Sequence, residues 1–292
     1  MIDLTNRIGI VTGATDGIGQ VTARELARLG ATVVIFARNE SKARCVVAAF
    51  QAATGNVNVE YLIADLSSLS DIRKAAETFR AKYDRLHILV NNAGLFIARR
   101  RVSLDGYEMM FAVNHLAHFL LTNLLLDTIK ASGTPENPAR IVNVASKMHF
   151  NVTLDFDDLQ SEKRYKPMEV YAKSKLANIL FTYELARRLT AAGAPVTVNA
   201  AHPGFVNTGI GKDPDSLLGW GMRFGLFFVR WMQIPPEKGA RTSIYLATAP
   251  EVATISGQYF EKGQAVPSSA ASLVESDWAR LWTISEKLVC EK

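Results

Sequence analysis

The feature of this 292-residue chain that most restricts its fold is a repeated exchange between two hydrophobic periods. From Arg7 onward, short continuous apolar runs rich in Val and Ile alternate with longer segments of helical period. Ile8 to Val11 is followed by a helix over about Gly17 to Leu29, then by Thr32 to Phe36, then by a helix after Asn39. A helix between two strands carries the chain back to its starting edge, so the strands it joins run parallel. The exchange continues through Val57 to Ile63, His87 to Val90, Arg140 to Val144 and Val196 to Ala200. These runs are apolar throughout rather than at every second residue, as strands are when helices cover both faces of their sheet.

The predicted fold class is therefore α/β: a single-domain, doubly wound parallel sheet of the Rossmann type with helices on both faces, covering residues 1–292. No proline-rich linker and no repeat period divides the chain. Three segments break the alternation: Lys147 to Lys166, Phe205 to Pro236, and Gly263 to Ser272. Ligands of such sheets bind beyond the carboxyl ends of the strands, so these loops are candidate substrate elements.

Charge and cysteine content narrow the function classes. The net charge of +5 is modest and its carriers are scattered; the one compact basic run, Arg99 to Arg101, reads as a solvated loop, so no nucleic-acid partner is expected. Cys45 and Cys290 have no metal spacing, and His115-x-x-His118 has no third ligand nearby, so no metal is expected and a reducing, cytoplasmic setting fits best. The first residues lack the basic region and apolar core of a secretory signal. The most apolar stretch, Leu217 to Ile234, is interrupted by Arg223, Arg230 and three glycines, so no transmembrane segment is expected. Its Met and aromatic residues suit an adaptable apolar substrate lid at about 205–236. A subunit interface, in a homodimer or tetramer, and a shallow membrane contact are the alternatives.

Two stretches carry chemistry. The first strand runs into Thr12-Gly13-Ala14-Thr15-Asp16-Gly17-Ile18-Gly19, with a helix starting inside the glycine series. Such a turn lets backbone N–H groups approach a pyrophosphate where side chains would obstruct it, and the helix dipole favours the anion. A tight turn with no ligand is the plain alternative. The second strand ends Ala37-Arg38-Asn39, where an acid would bind the ribose 2′-hydroxyl of NAD. Arg38 instead offers a charged fork suited to a 2′-phosphate, assisted by Lys42 or Arg44, unless it is simply an exposed arginine at a helix start. Further on, Tyr171 and Lys175, four apart on a helix, share a face, and an adjacent ammonium is expected to lower the phenol pKa.

Taken in order, Thr12-Gly13-x-x-x-Gly17-x-Gly19, Asp65-Leu66, Asn91-Asn92-Ala93-Gly94, Asn114, Ser146, Tyr171-x-x-x-Lys175 and Pro203-Gly204 resemble the short-chain dehydrogenase/reductase family along nearly the whole chain. Asn114-His115-Leu116-Ala117-His118-Phe119, Phe156-Asp157-Asp158-Leu159 and the long interval between Ser146 and Tyr171 resemble its retinol-dehydrogenase-like and WW-domain-oxidoreductase-like branch. The resemblance implies an oxidoreductase that moves hydride between a nicotinamide and a carbonyl or alcohol carbon; Arg38 points to NADP(H) as the cofactor, and the apolar segment from Leu217 to Ile234 to an apolar small molecule as the substrate. It implies that Tyr171 transfers the proton, Lys175 lowers its pKa and holds the nicotinamide ribose, Ser146 hydrogen-bonds the substrate oxygen, and Asn114 supports a relay water. It further implies cofactor contacts at Gly13, Thr15, Asp16, Gly17, Ile18 and Gly19, at Arg38, and at Asp65 and Leu66 beside the adenine. Asn91, Ala93 and Gly94, with Pro203, Gly204, Val206 and Thr208 on the nicotinamide side, complete that set. The residues themselves leave Asp65 open as a helix N-cap, a task that Ser67 or Ser68 could equally perform, and Asn114 open as a structural amide. The rival reading is a catalytically idle NADP-binding regulatory or interaction protein on the same fold.

Overall fold

The computed structural model describes residues 2–204 and 234–291. Eight strands form one sheet in the order β3-β2-β1-β4-β5-β6-β7-β8. They are β1 Ile8–Thr12, β2 Thr32–Ala37, β3 Val59–Ile63, β4 Ile88–Asn91, β5 Ala139–Val144, β6 Val196–His202, β7 Tyr259–Glu261 and β8 Gln264–Ala265. The pairs from β3 across to β7 are all parallel, and only β8 returns antiparallel to β7. The expected doubly wound sheet is what the chain forms.

Helices cover both faces, as the apolar runs require. α1 (Gly17–Arg28), α2 (Glu40–Thr54) and α6 (Pro236–Thr248) bury Leu26, Val47, Phe50 and Leu246 against Val11, Val33, Ile35, Val90 and Val142. The opposite face carries α3 (Leu69–Lys82), α4 (Met109–Lys130), α5 (Pro167–Ala191) and α7 (Glu275–Cys290). There Ile72, Phe119, Leu180 and Trp282 pack on Ile10, Val34, Leu89 and Ile141. Neighbours along one strand, such as Ile10 and Val11 or Ile141 and Val142, thus enter opposite cores. Each buried aliphatic side chain of this kind contributes about 1.5–3 kcal/mol, which is why the runs show no polar alternation.

Two elements differ from the sequence expectation. The Gly263 to Ser272 segment holds a two-residue strand, because Lys262 (φ 53°) and Gly263 (φ 77°) form a left-handed hairpin turn that returns the chain onto β7. Lys-Gly lacks the Asn-Gly or Asp-Gly signature by which such turns are usually read. α4 is α-helical at both ends but widens into a π turn over Ala112–Leu116. Among the described residues α4 is also the one helix long and apolar enough to cross a membrane, and 78% of that apolar window is buried inside the protein. Residues 205–233, which hold most of the expected lid with Val206 and Thr208, lie outside the described residues.

The strand order reverses between β1 and β4, whose helices α1 and α4 lie on opposite faces. Loops leaving the carboxyl ends of two such strands diverge and open a crevice, the usual ligand position in this architecture. The glycine turn after β1 and Asn91-Asn92-Ala93-Gly94 after β4 both begin there.

Candidate active site

The glycine turn is fastened to the end of β4. Thr12 Oγ1 accepts from the backbone N–H groups of Asn92 and Ala93, each at 2.9 Å, while Asn92 Nδ2 donates to Thr12 O at 2.9 Å and Gly13 O at 3.3 Å. Gly13 is left-handed (φ 64°), and a Cβ there would lie 2.8 Å from Ala93 Cα. At Gly19 a Cβ would meet Asn92 Nδ2 at 2.3 Å and Gly13 O at 2.5 Å. The glycines therefore let two strand ends approach beside a helix N-terminus. Asp16 caps α1 by accepting from Gly17 N at 2.8 Å and stays exposed; Thr15 is half-buried beside it. Ile18 is buried against Val21 and Ala240, so its side chain serves packing.

Sequence reasoning did not assign Thr12 and Asn92 to the site, and it named Asn91 rather than Asn92, whose amide is the one that joins the glycine turn. Strand alternation turns Asn91 inward, where its amide donates to Thr122 Oγ1 at 2.9 Å and Asn143 Oδ1 at 2.8 Å. Asn92, the next residue, faces the turn. The doubled Asn after an apolar strand was the available signal, since one of two successive side chains must face each way.

At the end of β2, Arg38 is exposed and no acid accompanies it. Asn39 caps α2, accepting from Lys42 N at 2.9 Å and from Ser41 Oγ at 2.8 Å. Of the two basic residues expected to assist, Arg44 is engaged with Glu40 at 2.9 Å, whereas Lys42 is exposed one turn from Arg38. Asp65 is not the cap of α3: Ser68 Oγ accepts from Asp71 N, and Asp65 Oδ1 accepts from Ser67 N at 2.9 Å and Ser67 Oγ at 2.8 Å. Leu66 beside it packs on the core.

The second cluster joins β4, α4, β5 and α5. The π turn sets the fully buried Asn114 against Leu95, whose N–H donates to Oδ1 at 2.8 Å and whose carbonyl accepts from Nδ2 at 3.1 Å. The same Nδ2 donates to Ser174 Oγ at 2.9 Å, and Ser174 in turn donates to Tyr171 O at 2.7 Å. Ser174 is thus a link to α5 that sequence reasoning missed. Lys175 is 2% exposed, its Nζ donating to Val144 O at 3.1 Å and standing 5.7 Å from the centre of the Tyr171 ring. A Cβ on Gly94 would lie 3.3 Å from Lys175 Nζ and 3.4 Å from Asn114 Oδ1, so this glycine leaves open the space between them. Ser146, at the end of β5, accepts at Oγ from Met148 N at 3.3 Å and opens the short 3₁₀ turn Lys147–Asn151. Tyr171 packs edge-on against Phe96 and joins an apolar cluster with Leu95, Ile97, Met110 and Val170.

One electrostatic expectation is reversed. Burial pushes the Tyr171 phenol up to about 12 and pulls Lys175 down to about 8. The ammonium is aimed at the Val144 carbonyl rather than at the phenol oxygen, so desolvation outweighs the charge that was to lower the phenol. A phenol in this state is protonated near neutral pH.

His115 and His118 are fully buried and burial holds both below their ordinary value. His115 bonds to Ser285 Oγ at 2.8 Å amid Phe111, Phe119 and Phe181, in keeping with packing. Pro203 and Gly204 follow β6; a Cβ on Gly204 would meet Ile234 Cδ1 at 2.8 Å. A cleft of about 740 Å³ between the far half of α5 and the Ala265 to Leu273 loop contains none of these groups.

The family model described as short chain dehydrogenase matches residues 7–216, a span that holds both clusters. The chain belongs to the short-chain dehydrogenase family. As such it is an oxidoreductase, and its relatives include human polyprenol dehydrogenase, 44% identical over 281 residues that cover 96% of this chain and 84% of that protein. Human retinol dehydrogenase 14 is 43% identical, covering 96% of this chain and 85% of its own. Among solved structures, an uncharacterized protein from Mycobacterium paratuberculosis is 33% identical with a TM-score of 0.79, covering 99% of this chain and 96% of that one. The Pseudomonas aeruginosa RhlG/NADP active-site complex is 27% identical with a TM-score of 0.69, covering 93% of this chain and 98% of that one. Of the retinol-dehydrogenase-like and WW-domain-oxidoreductase-like branch that the sequence resembles, the retinol-dehydrogenase-like part is borne out, since retinol dehydrogenases 11, 13 and 14 are among the relatives.

The residues of this short-chain dehydrogenase fit a dinucleotide. A Cβ at Gly13 or Gly19 would fill the turn beneath a pyrophosphate, Gly94 leaves space beside Lys175 and Asn114, and β2 ends in a cation rather than an acid.

Proposed function

We propose that this short-chain dehydrogenase is NADP(H)-dependent and interconverts a carbonyl group and an alcohol on an apolar small molecule. The observation that carries this reading is the meeting of Tyr171 and Lys175, whose Nζ lies 5.7 Å from the tyrosine ring centre and borders the space left by Gly94, beside an apolar wall of Leu95, Phe96 and Ile97. The polyprenol and retinol dehydrogenases, both named for apolar alcohols, support it. Cys45 and Cys290, both free and exposed, suit a reducing compartment such as the cytoplasm.

When bound, the dinucleotide supplies the hydride that reduces the carbonyl carbon and is itself oxidised. The backbone of the turn from Gly13 to Gly19 holds its pyrophosphate, Asp65 its adenine side, Arg38 its 2′-phosphate, and Pro203-Gly204 its nicotinamide side. Ser146 Oγ donates a hydrogen bond to the substrate oxygen, which stabilises the negative charge that grows there. Tyr171 gives its phenol proton to that oxygen as the C=O π pair becomes an O–H bond. Lys175 holds the ribose hydroxyls and favours the phenolate left behind, and Asn114 fixes the α4 end of the path by which Tyr171 is reprotonated.

A series of aldehydes of increasing alkyl length, followed by loss of NADPH absorbance, tests this function. Each buried methylene contributes up to about 0.8 kcal/mol, so kcat/KM is expected to rise about three- to fourfold per methylene until the pocket fills. Equal efficiency on small polar ketones and long apolar aldehydes contradicts the substrate class. Cofactor choice has its own test: Arg38→Ala is expected to weaken NADPH by about 10- to 100-fold while leaving NADH nearly unchanged, since a charge-assisted bond to phosphate is worth about 1.5–3 kcal/mol. Wild-type protein that binds NADH as tightly as NADPH in a fluorescence titration contradicts it.

A further inference from the structure

The peptide unit that follows Ser146 is gripped at both of its polar ends by imidazoles. Its carbonyl, Ser146 O, lies 2.7 Å from His149 Nδ1 and also accepts from His149 N at 3.2 Å, the bond of the 3₁₀ turn. Its amide, Lys147 N, donates to His202 Nδ1 at 3.3 Å. The two rings come from opposite directions, His149 from the 3₁₀ turn itself and His202 from the last residue of β6. Both are buried, at 0% and 8% exposure.

The protons in this arrangement are fixed by its partners. Ser269 N donates to His149 Nε2 at 3.0 Å, so Nε2 carries no hydrogen, and Nδ1–H must donate to the Ser146 carbonyl, which can only accept. His202 must be bare at Nδ1, because Lys147 N–H can only donate. Both rings are therefore neutral, and burial supports that state by pushing His149 down and His202 to about 4. Ser269 is itself held: Ser272 Oγ donates to Ser269 O at 2.6 Å and, its one hydrogen so used, accepts from Ser268 Oγ at 2.7 Å, while Ser268 meets Tyr183 OH on α5 at 2.7 Å. The brace thus runs from β5 through His149 and the C-terminal loop to the helix that carries Tyr171 and Lys175.

We propose that His149 and His202 are positioning residues that clamp the Ser146–Lys147 peptide and thereby aim the Ser146 hydroxyl at the substrate oxygen. The physical reason is that Ser146 Oγ is placed by its own backbone. The backbone there is extended (φ −154°, ψ 149°), and among the described residues Oγ bonds to Met148 N alone, at 3.3 Å within the same turn. With either imidazole removed, fewer bonds fix the tilt of the plane, the 3.2 Å bond from His149 N to Ser146 O remaining; a tilt changes ψ of Ser146 and with it the aim of the hydroxyl, and misplacement of a reacting group by about 1 Å can cost 10²-fold in rate. This inference rests on the assignment of Ser146 as the donor to the substrate oxygen.

The test uses one geometric fact. At both positions the clamp is made by Nδ1, the nitrogen bonded to Cγ. An Asn amide sits where Nδ1 sits, and a Gln amide reaches where Nε2 sits. His149→Asn and His202→Asn are therefore expected to keep kcat within about threefold, while His149→Gln and His202→Gln lower it about tenfold or more, the scale of a lost buried hydrogen bond. NADPH affinity should be the same in all four, since neither imidazole borders the glycine turn. Ser269→Pro approaches the clamp from the other side: the residue already has φ −64°, so proline withdraws only the N–H that fixes the His149 tautomer. It is expected to lower kcat about threefold or more with folding retained, and it decides the matter if a Gln variant fails to fold. Ser146→Ala serves as the reference. If Ser146→Ala lowers kcat but Asn and Gln variants are equally active or equally impaired, the clamp is overturned and the Ser146 assignment stands. If Ser146→Ala leaves kcat unchanged, the assignment falls and the clamp with it.

Discussion

Tyr171→Phe is expected to lower turnover by about 10²- to 10⁴-fold, the range for loss of a positioned proton donor, while NADPH binding stays nearly intact. Phenylalanine keeps the edge-on contact with Phe96 and the place in the apolar cluster, so the substitution removes little besides the hydroxyl. Lys175 keeps its bond to Val144 O, since none of its contacts passes through the phenol oxygen. Titration of NADPH fluorescence and single-turnover absorbance, measured on the same variant, separate the two effects. The wild-type pH profile follows from the same geometry. Tyr171, raised to about 12, stays protonated through the working range, whereas Lys175, lowered to about 8, is charged below that pH and neutral above it. For reduction, kcat/KM reports the free enzyme and should be level below pH of about 8 and fall above it. A rise through that pH contradicts the acid assignment.

Gly19→Ala is expected to abolish measurable NADPH binding and to destabilise the protein by about 1–3 kcal/mol or more, the range for forcing extra atoms into a packed site. The added methyl would lie 2.3 Å from Asn92 Nδ2 and 2.5 Å from Gly13 O. Relief requires breaking the amide bonds from Asn92 to Thr12 O and Gly13 O, which join the ends of β1 and β4. Either way the crevice between the two strands changes shape. Thermal melting and NADPH titration read the two consequences independently. A variant that melts like wild type and binds NADPH normally removes the cradle from the account.

The parts of this protein legible in its sequence are those in which one local rule decides. Continuous apolar runs such as Val33 to Phe36 can only be strands buried on both faces, and the sheet follows from their alternation with helices. The glycine turn was legible because Gly13 and Gly19 stand where nothing larger fits. What escaped depends on partners remote in sequence. Asn91 and Asn92 are indistinguishable until Asn143 and Thr122 claim one and Thr12 the other. The Tyr171 phenol was expected to fall because Lys175 is one turn away, but the lysine is drawn to Val144 from β5, and desolvation decides the direction. The π turn that sets Asn114 leaves no mark in a helix pattern already apolar on most sides. The clamp on Ser146 joins residues 146, 149, 202 and 269, and its members look like unrelated histidines and loop serines until the fold assembles them.

The central claim is that this chain transfers hydride rather than merely binding a dinucleotide. The most direct measurement incubates it with NADPH deuterated at the transferable position of the nicotinamide C4 and an apolar aldehyde, and examines the product alcohol by mass spectrometry. One deuterium is expected on the carbinol carbon with wild-type protein, and its loss with Tyr171→Phe over the same interval. NADPH bound tightly but never consumed, with no deuterated alcohol across the aldehyde series, contradicts it and leaves a nucleotide-binding protein without the chemistry.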